Sequence, residues 1–331
     1  MSKGIREHLI RSLASGEFVS GQEVGKQLGI SRTAISTHVK ALVKMGLDIY
    51  SVTGKGYKLS QPLDLLNKRK ISLLISQEVI QSNDNLTPEI EVHSLIDSTN
   101  DYLMRRLPNQ LTQGQVCLAE YQSAGRGRRG RRWVSPFGSQ IYLSMYWHLE
   151  QGLSAAMGLS LLSALAVSDA IFAVSRVQVE LKWPNDIYID GVKLAGILID
   201  LEGQALEPSH SVIGIGLNLD MPVQAAEKID QRWTDLQSHS EAKIDRNALS
   251  AQLICCLYAR LKQHESEGLI PMLDEWHAHD VYLNKRVKII TGERVTKGIC
   301  QGINNQGALL LEVDGQVIPI YGGEVSLRGD E

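Results

Sequence analysis

The 331-residue chain is poor in cysteine, and Cys117, Cys255, Cys256 and Cys300 show neither metal-ligand nor redox spacing. Two are adjacent in a helical run, so all four are expected as buried, reduced thiols of a cytoplasmic protein. A long apolar run is also missing. Ala155 to Val174 is the most apolar stretch, but Ser160, Ser163, Ser168 and Asp169 interrupt it, which argues for a buried helix over a membrane span. No apolar core follows Met1-Ser2-Lys3-Gly4, so no secretory leader is expected. No Gly-x-x-x-x-Gly-Lys-Ser/Thr occurs, which excludes a Walker loop. His277 and His279 have no further ligands beside them, so they are expected at the surface and no structural metal is assigned. Net charge is small, at −3, yet uneven: residues 1–60 carry +5 and the remainder −8. A basic first module on an acidic body suggests that only the first part touches nucleic acid.

What the chain does have is Gly125-Arg126-Gly127-Arg128-Arg129-Gly130-Arg131-Arg132-Trp133, five arginines and three glycines in nine residues. Guanidinium forks match phosphate and carboxylate oxygens in pairs, and glycines let backbone N–H groups come close to a ligand. Like charges at this density repel until an anion arrives, so the loop is expected to be mobile when empty and ordered when occupied. It also fits Gly-x-Gly-x-x-Gly, but it runs into a strand instead of opening a helix, which removes the dinucleotide reading. A disordered Arg/Gly segment that coats RNA is the plain alternative. Strand-like flanks, Gln115 to Gln122 and Ser139 to Trp147, place the loop inside a folded domain instead.

The first sixty residues predict a first helix ending near Gly16 and a second opened by the capping box Ser20-Gly21-Gln22-Glu23 and closed by Gly29. A third helix is capped by Ser31, with Ile35, Val39 and Leu42 on its buried stripe. Its outer face carries Arg32, Thr33, Ser36, Thr37 and Lys40, short or cationic residues suited to a DNA major groove. Leu47 to Val52 and Tyr57 to Leu59 flank Thr53-Gly54-Lys55-Gly56, a hairpin with Lys55 at its tip, like the wing of a winged helix. A small helical protein-interaction module is the alternative.

Beyond a linker at Ser60-Gln61-Pro62, residues 63–80 read as mostly helical, followed by a polar loop around Asn83-Asp84-Asn85 and a strand from Glu89 to Ile96. Asp97-Ser98-Thr99-Asn100 then sits at a strand end where α/β-type sheets place ligands, although Ser98 to Asp101 is also a plain capping box. Lys182-Trp183-Pro184-Asn185-Asp186 turns the chain; Asp186 either helps hold a magnesium ion or only forms the turn. A hairpin around Asp190-Gly191 follows, with Lys193 in a strand of small apolar residues, where it either meets an anion or snorkels to solvent. In the next strand, ending at Asn218, Gly214 and Gly216 leave room for a flat ligand. Asp245 caps a long helix, and Val281 to Leu327 has the turn spacing of a small SH3-like β-barrel.

These motifs, in this order and behind a winged helix, resemble the bacterial biotin protein ligases that are also biotin operon repressors. The likeness covers essentially the whole chain; the segments 203–209 and 222–240 support it least. It implies an α/β multidomain (α+β) protein: a winged helix-turn-helix domain over 1–62, a mixed-sheet catalytic domain of the class II synthetase type over 63–280 and an SH3-like domain over 281–331. It implies formation of biotinyl-5′-AMP from biotin and ATP with Mg²⁺, then transfer of biotin to a lysine of a biotin carboxyl carrier protein. It further implies that the adenylate acts as corepressor, favouring a homodimer on operator DNA, with no membrane involvement. By the same resemblance Ser98, Thr99, Asn100 and Gln122 hold the ureido ring, and Arg126, Gly127 and Arg128 the carboxylate and phosphate region. Lys193 sits on the acyl-phosphate oxygens, with Arg126 and Arg128 as its catalytic partners. Arg129, Arg131, Trp133, Asn218 and Asp186 belong to the adenylate or ATP region. Two other readings remain: a repressor that senses biotin without catalysis, and a lipoate-type acyl-adenylating ligase.

Overall fold

The computed structural model describes residues 2–82, 87–222, 225, 227, 229–322 and 325–330. The polar loop expected around Asn83-Asp84-Asn85 lies outside them.

Three helices, α1 (Ser2–Leu13), α2 (Gly21–Leu28) and α3 (Arg32–Lys44), open the chain, followed by the hairpin β1 (Ile49–Val52) and β2 (Gly56–Leu59). Local chemistry sets the boundaries. Ser20 and Ser31 accept from the backbone N–H of Glu23 and Ala34, and Gly29, at φ 67°, ends α2 in the left-handed conformation. Ile35, Val39 and Leu42 are buried against Leu9, Ile10 and Leu13 of α1. Phe137 and Leu95 of the body join this same core, so the winged module is packed onto the body and does not hang from it.

The body is built on a seven-stranded mixed sheet in the order β3-β4-β5-β9-β8-β7-β6. Its strands are β3 (Ile90–His93), β4 (Val116–Ala119), β5 (Gln140–Leu149), β6 (Glu180–Lys182), β7 (Asp186–Ile189), β8 (Val192–Glu202) and β9 (Ser209–Asn218). Alternation decides which face does what. Ile141, Leu143, Met145 and Trp147 of β5 and Ile213, Ile215 and Leu217 of β9 point into one core with α6 (Leu159–Ser175) and α7 (Arg246–Glu267). α6 is apolar on all sides and buried along most of its length, as its composition predicts, and among the described residues no helix is long and apolar enough to cross a membrane. The opposite face carries Tyr142, Ser144, Gly214, Gly216 and Asn218, under α5 (Thr99–Met104) and the arginine loop.

One expected helix is shorter than its sequence suggests. α4 spans Lys68–Ser82, because the backbone of residues 64–67 bonds elsewhere. Leu66 N donates to Glu120, Arg246 donates to the carbonyls of Asp64 and Gln140, and Asn67 N donates to Asn247 Oδ1 at 2.7 Å. The Arg246–Glu120 ion pair, 2.8 Å long and 5% and 3% exposed, therefore fastens the segment joining module and body to the strand end that leads into the site.

The last domain is a five-stranded antiparallel sheet, β13-β12-β11-β10-β14, with β10 (Arg286–Thr291), β11 (Arg294–Ile303), β12 (Leu309–Val313), β13 (Gln316–Ile320) and β14 (Val325–Gly329). Val287, Cys300, Leu309 and Leu327 continue the body's core, and Trp183 Nε1 donates to Gly307 O at 3.1 Å. His277, on α8 (Leu273–His279), is not the surface residue the sequence suggested. Its Nε2 accepts from Ile303 N at 3.0 Å, tying α8 to β11.

Arg246→Met leaves the buried Glu120 carboxylate without its cation, a loss of about 3–5 kcal/mol. Urea unfolding is expected to show a clearly lower midpoint, and an unchanged midpoint would remove the pair from this role.

Candidate active site

A cavity of about 1160 Å³ opens on the face of the sheet opposite α6. Its floor is a trough made by register: Tyr142, Gly216 and Gly196 lie side by side on β5, β9 and β8, and Ser144, Gly214 and Leu198 form the next row. Two side chains lie in that trough. A Cβ on Gly216 would stand 2.6 Å from Trp133 Cε2, and one on Gly214 would stand 2.2 Å from Asn100 Oδ1. The room expected above these glycines for a flat ligand is thus filled by the protein's own Trp133 and Asn100. The Trp133 Nε1–H is buried without an acceptor.

The arginine loop is folded back on itself. Gly127 N donates to Arg131 O at 2.7 Å, Trp133 N to Gly125 O at 2.8 Å, and Arg126 and Arg132 form a β-bridge. Arg129, at φ 59°, and Gly130, at φ 70°, turn the tip. That turn carries Arg129 outward, so it is exposed and off the cavity wall, contrary to its expected place at the adenylate. Arg126 lines the cavity and is tied down as well. Its Nη2 sits 2.7 Å from Asp101 Oδ1 and 2.5 Å from Asp200 Oδ2, so two carboxylates already hold this guanidinium at the base of the loop.

Arg128 reaches inward and donates to Asn185 Oδ1 at 2.7 Å. Burial and the neighbouring Arg131 and Arg129 weigh against its charge and push its pKa below the ordinary arginine value, with Asp186 opposing them. Arginine stays protonated even so. Lys193, 8% exposed, donates to Asp186 Oδ1 at 2.6 Å, and its Nζ lies 5.7 Å from the centre of a Trp133 ring. Asp186 itself does not line the cavity and reaches it through Lys193. Among the described residues no donor bonds its second oxygen, and no cluster of three or more metal-ligating side chains occurs. One carboxylate of this kind fits an ion that arrives on a substrate's phosphates, not a resident metal.

At the other end of the cavity lie Ser98, Thr99, Asn100 and Gln122, the last three joined in one network through Ser144. Ser98 caps α5 by accepting from Asp101 N at 3.3 Å. Thr99 N donates to Gln122 Oε1 at 2.9 Å, and Gln122 Nε2 donates to Ser135 Oγ at 3.3 Å. Asn100 Nδ2 donates to Asp200 Oδ2 at 2.8 Å and to Leu198 O at 3.2 Å, while its Oδ1 accepts from Ser144 Oγ at 2.5 Å. Both amide hydrogens of Asn100 are therefore taken by the protein. Asn218, buried, lines the cavity and donates to Thr234 O at 3.0 Å.

Sequence reasoning missed Ser144, Asn185 as a partner of Arg128, Asp200, and the winged module's own contribution. Ser144 was legible as a polar residue on the site-facing side of an otherwise apolar strand. Val43 to Gly46, at the end of α3, line the cavity, and Phe137 N donates to Met45 O at 3.0 Å; a module boundary drawn from sequence gives no sign of this. On the far side of the module Arg32, Thr33, Thr37, Lys40 and Lys55 are exposed, Ser36 is half-buried, and Ser31 is exposed while capping α3.

The profile of the biotin/lipoate A/B protein ligase family matches residues 92–218, an HTH domain profile matches 6–58, and a biotin protein ligase C-terminal domain profile matches 282–328. The chain is 45% identical over 98% of its length to the bifunctional ligase/repressor BirA of Escherichia coli (97% of that protein covered). It is 30% identical over 99% of its length to the bifunctional ligase/repressor BirA of Bacillus subtilis (100% covered). A solved biotin protein ligase from Aquifex aeolicus in complex with biotin and ATP superposes with a TM-score of 0.62 at 25% identity, covering 73% of this chain and 99% of that one.

Gly216→Ala drives a methyl into the Trp133 indole, so the ring is expected to leave the trough and its emission to shift to the red. The same substitution in a Trp133→Phe background should give no such shift; a shift that persists there would place another tryptophan at the floor.

Proposed function

The chain belongs to the family of bifunctional biotin ligase/repressors, and on that premise we propose how its residues carry out the two activities. The protein is an ATP-dependent biotin protein ligase with a DNA-binding repressor module. Biotin and MgATP are its substrates, and the acceptor is a lysine of a biotin carboxyl carrier protein.

In the first step a biotin carboxylate oxygen attacks the α-phosphorus of ATP, a P–O bond breaks and pyrophosphate leaves. Bringing these like charges to ~4 Å costs on the order of 4 kcal/mol per pair at an effective dielectric near 20. Arg128 and Lys193 oppose that repulsion; a magnesium ion arriving on the triphosphate would supply further charge neutralisation, and Asp186 is the residue that would help hold it. In the second step the acceptor amine attacks the acyl carbon, AMP leaves and an amide remains. No nucleophilic side chain is required. Ser98, Thr99, Asn100 and Gln122 bound the ureido end; the saturated Asn100 amide shapes that end more than it binds. Asn218 and Arg131 border the adenylate, and Trp133, with an N–H lacking an acceptor, leaves the trough to cover it. Arg126 acts as a latch on Asp101 and Asp200, and this loop excludes water from the mixed anhydride.

The observation that carries this reading is a folded cationic loop over a glycine-floored trough with Lys193 buried at its side. For repression, the exposed face of α3 enters the operator's major groove and Lys55 touches backbone phosphate. Adenylate in the cleft touches the end of that same helix and favours a homodimer suited to a two-half-site operator.

Mass measurement of a carrier domain incubated with biotin and MgATP is expected to show one added biotinyl group; pyrophosphate release without transfer, or neither, would contradict the ligase mechanism. Arg128→Gly should release biotinyl-5′-AMP at least tenfold faster, and equal release would take that guanidinium off the phosphate. Lys40→Ala should lower the salt slope of operator binding by about one while biotinylation is retained; a loss of ligase activity would contradict the division of labour.

A further inference from the structure

A second cavity, of about 490 Å³, lies where α1 of the winged module meets β3 and α5 of the body. Met45 and Tyr121 line both this cavity and the main cleft, but its charged lining is its own: Lys3 and Arg6 from α1, and Asp97 and Arg105 from the body. Asp97 is the one carboxylate in that lining, and Arg105 holds both its oxygens, at 2.7 and 3.1 Å. That leaves Lys3 and Arg6 with no carboxylate within ion-pair distance among the described residues. The Arg6 Nε–H and His93 Nε2 are buried and have no hydrogen-bond partner. The nearest anion to His93, Glu91 Oε2, is 3.7 Å away, beyond hydrogen-bond reach. Glu91 is itself committed to Tyr102, Arg106 and Gln115. Glu91 and Glu7 also act on His93, but a cavity between module and body with Lys3 and Arg6 outside ion-pair distance of a carboxylate and an orphaned Arg6 N–H has the chemistry of an oxyanion site.

We propose that this cavity binds a small phosphate-type dianion, held by Lys3 and Arg6 of the winged module and by Arg105 and His93 of the body. Because its ligands come from both sides of the domain boundary, occupancy ties the DNA-binding module to the catalytic body. The site is independent of the ligase chemistry and needs no part of it.

The test uses the full chain with its main cleft saturated by biotinyl-5′-AMP, so that the arginine loop is already occupied. Inorganic phosphate is titrated by ³¹P NMR against chloride at equal ionic strength, with a phosphomonoester, glycerol phosphate, in a parallel arm. One saturable site of roughly millimolar affinity is expected, weakened at least tenfold by Lys3→Gln and by Arg6→Gln and unchanged by Arg286→Gln, an exposed cation of β10 that lines neither cavity. The better binder of the two arms identifies the source of the phosphoryl group. As a second readout, saturating phosphate should raise the unfolding temperature of the wild type more than that of Arg6→Gln. No saturable binding in either arm, binding indifferent to both α1 variants, or binding lost in Arg286→Gln overturns the proposal.

Discussion

Five arginines in nine residues cannot share a loop without anions, and the rest of the site follows from how the chain meets that constraint. Asp101 and Asp200 come from α5 and β8 and converge on Arg126, fixing the loop's base to the sheet. Arg128 is turned inward onto Asn185, where burial and its arginine neighbours weigh against its charge and Asp186 supports it. Arg129, Arg131 and Arg132 have no carboxylate partner among the described residues. Among the described residues, carboxylates pair with Arg126 and leave those three guanidinium groups without an ion pair. A substrate that brings phosphate and carboxylate completes the balance.

Backbone register supplies the other half. Gly196 and Gly216 fall beside each other on neighbouring strands, and the Trp133 indole comes so close to both that a Cβ at Gly216 would clash with it. Lys193 and Asp186 sit at the edge of the same trough as a close ion pair. Desolvating that pair is costly unless both partners keep good geometry, so Lys193 is held in one position instead of roaming. A fixed ammonium needs no reorganisation when charge develops on a phosphoryl group. The winged module closes the remaining wall with the last residues of α3, so the cavity and the exposed polar face of that helix belong to one element.

Much of this was legible in the sequence where local chemistry decides. The caps at Ser20, Ser31 and Asp245, the glycine stop at Gly29 and the hairpin at Asp190-Gly191 each need only a few residues to define them. The arginine loop and Lys193 stood out because charge beside glycine or in an apolar strand is hard to explain otherwise. Illegible features depended on partners far apart in sequence. The helix expected from residue 63 starts at Lys68 because Glu120, Arg246 and Asn247 take its backbone groups. The ion pair of Arg126 with Asp200 was illegible because Asp200 lies 74 residues away and the loop's own composition says nothing about it. Trp133 and Asn100 fill the glycine trough for the same reason: the glycines announce space, and only the fold says what enters it.

The most direct measurement is a crystal structure of the full chain with biotinyl-5′-AMP bound. Arg128 and Lys193 should lie within hydrogen-bond distance of the acyl-phosphate oxygens, the loop from Gly125 to Trp133 should cover them, and Arg126 should remain on Asp101 and Asp200. A loop turned away into solvent, with Arg128 and Lys193 beyond reach of the phosphate, would contradict the account.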